Sequence, residues 1–227
     1  MTRSAGSAAA LEPDDEETGG ARSAHRLVQF SDGVFTVALT LLVIDIGLPN
    51  LAAGASEGEL VKQLEAQLPN IVAFVLSFWV VGEYWLIHHR DFLFIHRYDG
   101  RLMVLNLLFL MTVCFIPWPT AVLGHYGGYL TTWVLYSASM AAMGFAATAL
   151  WVYASARPSL VDGVTPDLRR YYIYRALVQP IVFLVSIPIA AVSLMVGQFS
   201  WIAIVIVLRL LNDHYELRID ARHRPAV

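Results

Sequence analysis

The sequence predicts an all-α integral membrane protein with six transmembrane helices and both termini in the cytoplasm. Hydrophobic residues make up 57% of the 227 positions and charged residues only 15%, which is too little polar surface for a water-soluble domain of this length. The apolar residues are gathered into blocks of roughly 20, the length that a helix needs to cross a bilayer. Nearly all basic residues then fall on one side of these blocks, as the positive-inside rule requires.

The six apolar blocks follow one another along the chain with short connections. We predict spans at residues 30–48, 68–88, 102–123, 129–153, 174–196 and 199–211. Proline interrupts the third block at Pro117 and Pro119 and the fifth at Pro180 and Pro188, which predicts kinked helices there. Residues 197–198 are glycine and glutamine, and we expect the hairpin between the last two spans at this point.

The distribution of Lys and Arg sets the orientation and the domain organisation. Of the 15 basic residues, all but Lys62 lie on the same side in a six-span arrangement, so both termini are predicted to be cytoplasmic. Residues 1–25 are rich in Ala, Gly, Ser and acidic residues and predict a disordered tail. The membrane domain is expected over 26–215 and a short basic tail over 216–227. A net charge of −3 gives no indication of a nucleic-acid partner.

The first block carries more polar residues than a simple membrane anchor needs. An ionised Asp32 facing lipid costs roughly 2.5–3.5 kcal/mol even on insertion scales, so its side chain should face protein or water. At about 100° per residue one face forms an aliphatic stripe, with Thr40 beside it and Asp45 at its outer end. The stripe consists of Phe30, Gly33, Val37, Leu41, Ile44 and Leu48. It suits either a hydrophobic constriction with a cation-attracting mouth or ordinary helix packing.

A short motif at the start of the first block adds a family resemblance. Arg26-Leu-Val-Gln-Phe30-Ser31-Asp32 matches the pattern Arg-x-x-x-Phe-Ser-Asp, which resembles the signature of the transmembrane protein 175 family of potassium channels from lysosomes, endosomes and bacteria. Further blocks in the second and third spans are similar to that family, so the resemblance covers roughly residues 26–123. These blocks are Ser77-Phe78-Trp79, Tyr84-Trp85, His88-His89, 105–109 and 115–120.

The resemblance implies a channel and not an enzyme. It implies a potassium-permeable, weakly selective homotetramer in the bacterial plasma membrane that needs no cofactor beyond the permeant K⁺, with the first helix of each subunit around the axis. By this resemblance, the residues that form the constriction are Val37, Leu41 and Ile44. Thr40 would form an adjacent polar layer, and Asp45 would attract cations at the outer mouth. Valine stands at the first ring, where relatives usually have isoleucine or leucine. The chain also lacks a Thr-Val-Gly-Tyr-Gly loop, so the ordinary potassium-channel pore-loop fold is not expected.

The resemblance also assigns the motif an anchoring role. In this family Arg26, Phe30, Ser31 and Asp32 would fix the first helix to the next two spans. Residues at the matching cytoplasmic depth are the expected partners, namely Trp85, His88, His89 and Asn106.

Two other functions fit parts of the sequence. His88, His89 and His96 could form a metal cluster of a membrane metalloenzyme, because His89 and His96 would share one face if the helix continued to residue 96. The proline-interrupted third and fifth spans could instead be the broken helices of a proton-coupled secondary transporter. Such a carrier usually needs an ionisable group at mid-membrane, and no acidic residue lies in the middle of spans two to six apart from Glu83, which is nearer the cytoplasmic end of span two.

Overall fold

The computed structural model describes residues 13–204 and 206–211, with side chains from His25 onward. Six helical segments in this part of the chain are long and apolar enough to cross a membrane, which confirms the predicted all-α membrane fold. The helices are α1 (Pro13–Ile44), α2 (Glu57–Ala66), α3 (Leu68–Phe92), α4 (Gly100–Phe115), α5 (Pro117–Tyr126), α6 (Leu130–Ser155), α7 (Pro166–Val192) and α8 (Leu194–Ser200). The third span is α4 followed by α5, and the sixth runs from α8 to Leu211.

Local sequence signals explain where several helices begin. Ser56 and Glu59 form a reciprocal capping box at the start of α2. Asp99 accepts a hydrogen bond from the Leu102 N–H at 2.8 Å and so caps α4. Thr165 caps α7, where Pro166 occupies the first turn and needs no backbone donor.

The first span differs from its prediction at both ends. Helix α1 begins at Pro13, so residues 13–25, assigned above to the disordered tail, are helical. Acidic residues directly after a proline are typical of a helix start, and a prediction based on hydropathy misses such a polar extension. The helix ends at Ile44 rather than near residue 48, and a turn follows in which the Gly47 N–H donates to the Ile44 carbonyl at 3.4 Å. Gly47 has a φ of +68°, a backbone conformation that L residues rarely adopt and that cannot continue the helix.

The last two spans are also displaced from their predicted positions. Helix α7 begins at Pro166, eight residues early, because its first turns are polar and lie outside the apolar block. The predicted hairpin at residues 197–198 is wrong, since the break between α7 and α8 lies at Ser193. Gly197 lies inside α8, where an added Cβ would come within 2.6 Å of the Ala190 Cβ. Its missing side chain therefore serves close packing of α8 on α7.

Helix packing places α1 between two other helices. It contacts α3 on one side and α4 on the other, and α3 and α4 meet behind it through His88 of α3, which lies against Asn106 and Phe109 of α4. Helix α6 packs against α4, α5 and α7 and forms the centre of the bundle. The main core contains Phe35, Leu42, Tyr84, Phe109 and Tyr136.

A second, smaller core joins the two connections at the other end of the bundle from α2. The backbone at Ile95 pairs with that at Val161, and His96 N–H donates to the Leu160 carbonyl at 3.0 Å. Both connections lie on the side of the membrane where the arginines cluster. The predicted basic tail over 216–227 and residues 1–12 and 212–215 lie outside the described residues.

Candidate ion pathway

Helix α1 has one face buried in its own subunit and one face exposed. The buried face follows the i, i+4, i+7 and i+11 spacing of a helix that packs along one side. Its members are Ser31, Phe35, Ala38 and Leu42, and α3, α4 and α5 cover them. The subunit therefore fixes the rotation of α1 about its axis, which determines what the opposite face presents.

The predicted constriction residues lie on the exposed face. Val37, Leu41 and Ile44 are 57%, 41% and 66% exposed, so Leu41 lies nearest the edge where the face meets the rest of the subunit. Thr40 is exposed beside them, and its hydroxyl donates to the Val37 carbonyl at 2.9 Å. Because the proton is used within the helix, the threonine oxygen remains available as an acceptor.

The two ends of this face carry polar or aromatic groups. Asp45 is exposed and follows directly after the last residue of α1, so it lies at the end of this face far from the motif at residues 26–32. Phe30, the motif phenylalanine, is 53% exposed at the opposite end. The Arg26 side chain is also exposed, and it forms no ion pair or hydrogen bond with another described residue.

Two motif residues bond to the neighbouring helices. The Trp85 indole N–H of α3 donates to the Asp32 carboxylate at 2.9 Å. The Asn106 amide of α4 donates to the Ser31 hydroxyl at 3.0 Å, while its oxygen lies 2.9 Å from His88 Nε2. A chain of polar contacts thus joins α1, α4 and α3.

The sequence did not single out Phe35, although it completes this contact region. Its ring lies 5.8 Å from the rings of both His88 and Phe109, and His88 in turn stacks on Phe109 at 5.6 Å. Phe35 lies one turn beyond Ser31 on the same helix face, and that spacing was the available signal. His89 makes no bond to the motif and contacts Trp85 ring to ring at 5.9 Å.

The histidines proposed above as a metal cluster are not brought together. Helix α3 ends at Phe92, so His96 lies in the following connection, where it contacts Asp162 at 3.8 Å. His88 Nε2 is already in hydrogen-bond contact with the Asn106 side-chain oxygen at 2.9 Å. The described residues contain no group of three His, Cys, Asp or Glu side chains placed to hold a metal ion. The metalloenzyme alternative requires that the helix continue to residue 96, and this requirement is not met.

Comparison with known proteins identifies the family. A family model described as the endosomal/lysosomal potassium channel TMEM175 matches residues 26–117. A potassium channel of Streptomyces collinus is 42% identical over 142 residues, which are 60% of this chain and 67% of the relative. The chain belongs to the TMEM175 family. The resemblance stated from the motif at residues 26–32 is therefore confirmed.

Further comparisons extend this result to the fold. The crystal structure of a lysosomal potassium-selective channel TMEM175 homolog from Chamaesiphon minutus matches with a TM-score of 0.70 and 27% identity, covering 83% of this chain and 97% of that one. The human TMEM175 protein, described as an endosomal/lysosomal proton channel, is 35% identical over 100 residues. Those residues are 42% of this chain and 20% of the human protein. The relatives are channels and not enzymes.

Proposed function

We propose that this protein is a potassium-permeable, weakly selective cation channel, built as a homotetramer with α1 of each subunit around the ion pathway. The observation that carries the proposal is the division of α1 into a buried face and an exposed aliphatic face. One such helix cannot enclose a pathway, but four copies around a closed axis form rings of identical side chains. Val37, Leu41 and Ile44 would give three successive hydrophobic rings, with Thr40 between them.

The distribution of charge supports a cation as the permeant ion and also supports the orientation of the protein in the membrane. Four copies of Asp45 at the outer end would concentrate cations at the mouth. The described arginines lie at the other end of the bundle, and Lys62 in α2 lies at the Asp45 end. By the positive-inside rule we infer cytoplasmic termini. The bacterial relatives support a bacterial plasma membrane as the location.

The motif contacts support an anchoring role for the cytoplasmic half of α1. Asp32 and Ser31 bond to α3 and α4 respectively, so the helix is tied to both flanking helices near the start of the exposed face. Trp85, His88 and Asn106 would act as positioning residues, because they reach the pathway only through α1. Arg26, Phe30 and His89 belong to the same region, and their roles remain part of the proposal.

Ion flux into liposomes tests this function. The purified protein is reconstituted with a K⁺ gradient, and the reversal potential is measured with K⁺, Na⁺ or H⁺ as the opposing ion. We expect stepwise single-channel currents that reverse near the K⁺ equilibrium potential, with a smaller Na⁺ permeability. Saturable flux that depends on a proton gradient, without unitary currents, would instead support the transporter alternative.

Truncation of the aliphatic rings tests the pathway itself. We expect Leu41→Ala and Ile44→Ala each to change unitary conductance or the K⁺/Na⁺ permeability ratio, because each removes four side chains from one ring. Leu184→Ala is a matched control, since Leu184 is an exposed leucine on α7, away from α1, α3 and α4. If the control alters permeation as much as the two α1 variants do, α1 is not the pathway.

A further inference from the structure

Trp79 occupies an unusual place for a tryptophan in a membrane protein. It lies near the middle of the 25-residue helix α3, and its side chain is 71% exposed. Outward-facing tryptophans normally lie at the membrane interfaces, where water can reach the indole N–H. No described residue accepts a hydrogen bond from Trp79 Nε1, and an unpaired donor in the hydrocarbon layer is costly. This position therefore favours a protein partner over lipid.

A groove of suitable size lies between α4 and α6. Its volume is about 620 Å³, more than an indole needs. The α6 side of the lining consists mostly of small residues, and the α4 side includes the larger Met111 and Phe115. The lining includes Met111, Thr112, Phe115, Ala138, Ser139 and Ala142.

The polar groups in this groove complement an indole. The Thr112 hydroxyl donates to the Phe109 carbonyl at 2.6 Å, and the Ser139 hydroxyl donates to the Leu135 carbonyl at 2.7 Å. Both protons are used within their own helices, so both oxygens can only accept from a further partner. An indole N–H can only donate. A lipid acyl chain would leave both oxygens without a donor.

Contacts within the subunit place Trp79 at the depth of the groove. The hydroxyls of Ser77 and Tyr136 lie 3.0 Å apart, and the Tyr84 hydroxyl lies against Gly144. Helices α3 and α6 therefore run in the same direction with Trp79 at the level of residues 138–139. Rotation about an axis along the membrane normal does not change depth, so Trp79 of a second copy reaches the level of this groove.

The position of α1 between α3 and α4 determines which helices of neighbouring subunits face each other in a ring. If α1 faces the axis of a ring, α3 and α4 form opposite flanks of the subunit. A closed ring joins unlike flanks of neighbouring copies, so α3 of one subunit faces α4 of the next. The exposed faces of α1, α3 and α4 then form one continuous apolar interface.

We propose that Trp79 of each subunit inserts into the α4–α6 groove of the neighbouring copy of this chain and donates its N–H to Ser139 or Thr112 there. The inference rests on the ring assembly proposed above and adds the contact that holds neighbouring subunits together. Burial of one aromatic side chain per interface would anchor the ring away from the ion pathway.

Cross-linking tests the contact with a cysteine already present. Cys114, the only cysteine of the chain, lines the groove. The variant Trp79→Cys is reconstituted in liposomes and treated with a short, membrane-permeable bismaleimide. Each interface then pairs the thiol introduced at position 79 with that of Cys114, so we expect a ladder of dimer, trimer and tetramer. The variant Trp79→Cys/Cys114→Ser and the unmodified chain should not form the higher bands.

Two further positions on the same face of α3 test whether Trp79 lies at the same depth in the membrane as the groove. Val72 and Leu86 are each seven residues from Trp79, about 10 Å along the helix, and both are exposed. Val72→Cys and Leu86→Cys should cross-link to Cys114 less than Trp79→Cys does. A stronger ladder from either one would overturn the proposed register. Absence of any ladder from a conducting tetramer would overturn the contact while leaving the channel function intact, and a chain that is monomeric by light scattering would contradict both.

A double-mutant cycle covers the case in which Trp79→Cys fails to assemble. Trp79→Phe keeps an aromatic ring and removes the N–H, and the double variant Ser139→Ala/Thr112→Val removes both acceptors. Each change should weaken tetramer association in detergent about threefold, as expected for one hydrogen bond between membrane helices, and the combined variant should lose little more. Trp118→Phe, at another exposed tryptophan, is the matched control. Additive losses, or equal loss in the control, would contradict the proposal.

Discussion

Asn106 connects three helices through one buried amide. Its nitrogen donates to Ser31 of α1, and its oxygen lies against His88 of α3. All three side chains are buried, so water cannot replace a lost partner. The position of α1 in the subunit therefore depends on a residue that never touches the exposed face.

Replacement of Asn106 should destabilise the subunit more than its size suggests. Asn106→Ala leaves His88 Nε2 without its partner and removes the donor to Ser31, whose hydroxyl still donates to the Leu27 carbonyl. A buried polar group left unsatisfied costs about 1–3 kcal/mol. We expect a clear fall in the thermal unfolding temperature of the purified protein in detergent. Leu184→Ala, at an exposed position on α7, should change stability by less than about 0.5 kcal/mol. Equal effects of the two variants would show that the amide contacts contribute little.

Asp99, in the connection before α4, makes an electrostatic contact between α4 and α6. Asp99 caps α4 and also accepts the Tyr153 hydroxyl of α6 at 2.6 Å. The Tyr153 hydroxyl, and then the Leu102 N–H, hold the pKa of the Asp99 carboxyl below its usual range. A lowered folded-state pKa means that the stabilisation is present above the unfolded pKa of about 4 and is lost as pH falls through the folded value.

The lowered pKa of Asp99 leads to a prediction for the variant Asp99→Asn. The variant should be less stable than the unmodified protein at pH 7, because it lacks the charge that both donors favour. The difference between the two melting temperatures should shrink as pH falls from about 4, where the unfolded aspartate binds a proton, toward the lower pKa of the folded state. A difference that stays constant between pH 7 and pH 3 would exclude the ionised carboxylate as its source.

At the scale of whole elements, hydropathy predicts the spans but not their polar ends. All six predicted spans correspond to helices, because a run of apolar residues and a bilayer thickness suffice to locate them. The start of α7 at Pro166 escapes this prediction because its first turns carry arginines and lie outside the apolar block. Gly197 resembles a turn residue in the sequence, whereas its role is close packing on Ala190, which depends on a neighbouring helix.

The candidate site, like the spans, could be predicted from the sequence only in part. The motif at residues 26–32 and the helical period of α1 predict which residues share its exposed face. Asn106, His88 and Trp85 could be named as partners only with the help of the family resemblance. The groove facing Trp79 could not be predicted, because its lining comes from two helices separated by α5 and its acceptors depend on hydroxyl contacts within α4 and α6.

At the scale of the whole molecule, the subunit is a support that presents one helix face. Helix α6 forms the core, α3 and α4 hold α1 on either side, and the two connections at the arginine-rich end of the bundle are joined by the pairing of Ile95 with Val161. The conducting path would exist only in the assembled ring, since no single subunit encloses the exposed face of α1. Permeation and assembly should therefore be lost together when the subunit interface fails.

The most direct test of the central claim is thiol block of current at the exposed face of α1. Leu41→Cys is made in a Cys114→Ser background, and Ag⁺ is added to open channels in a planar bilayer. Val43→Cys is the matched control, because Val43 is 50% exposed on the same helix but lies about 160° around it from Leu41. We predict rapid, irreversible block of the K⁺ current in Leu41→Cys and little effect in Val43→Cys. Channels that conduct K⁺ and remain unaffected by Ag⁺ at Leu41→Cys would contradict the assignment of α1 as the ion pathway.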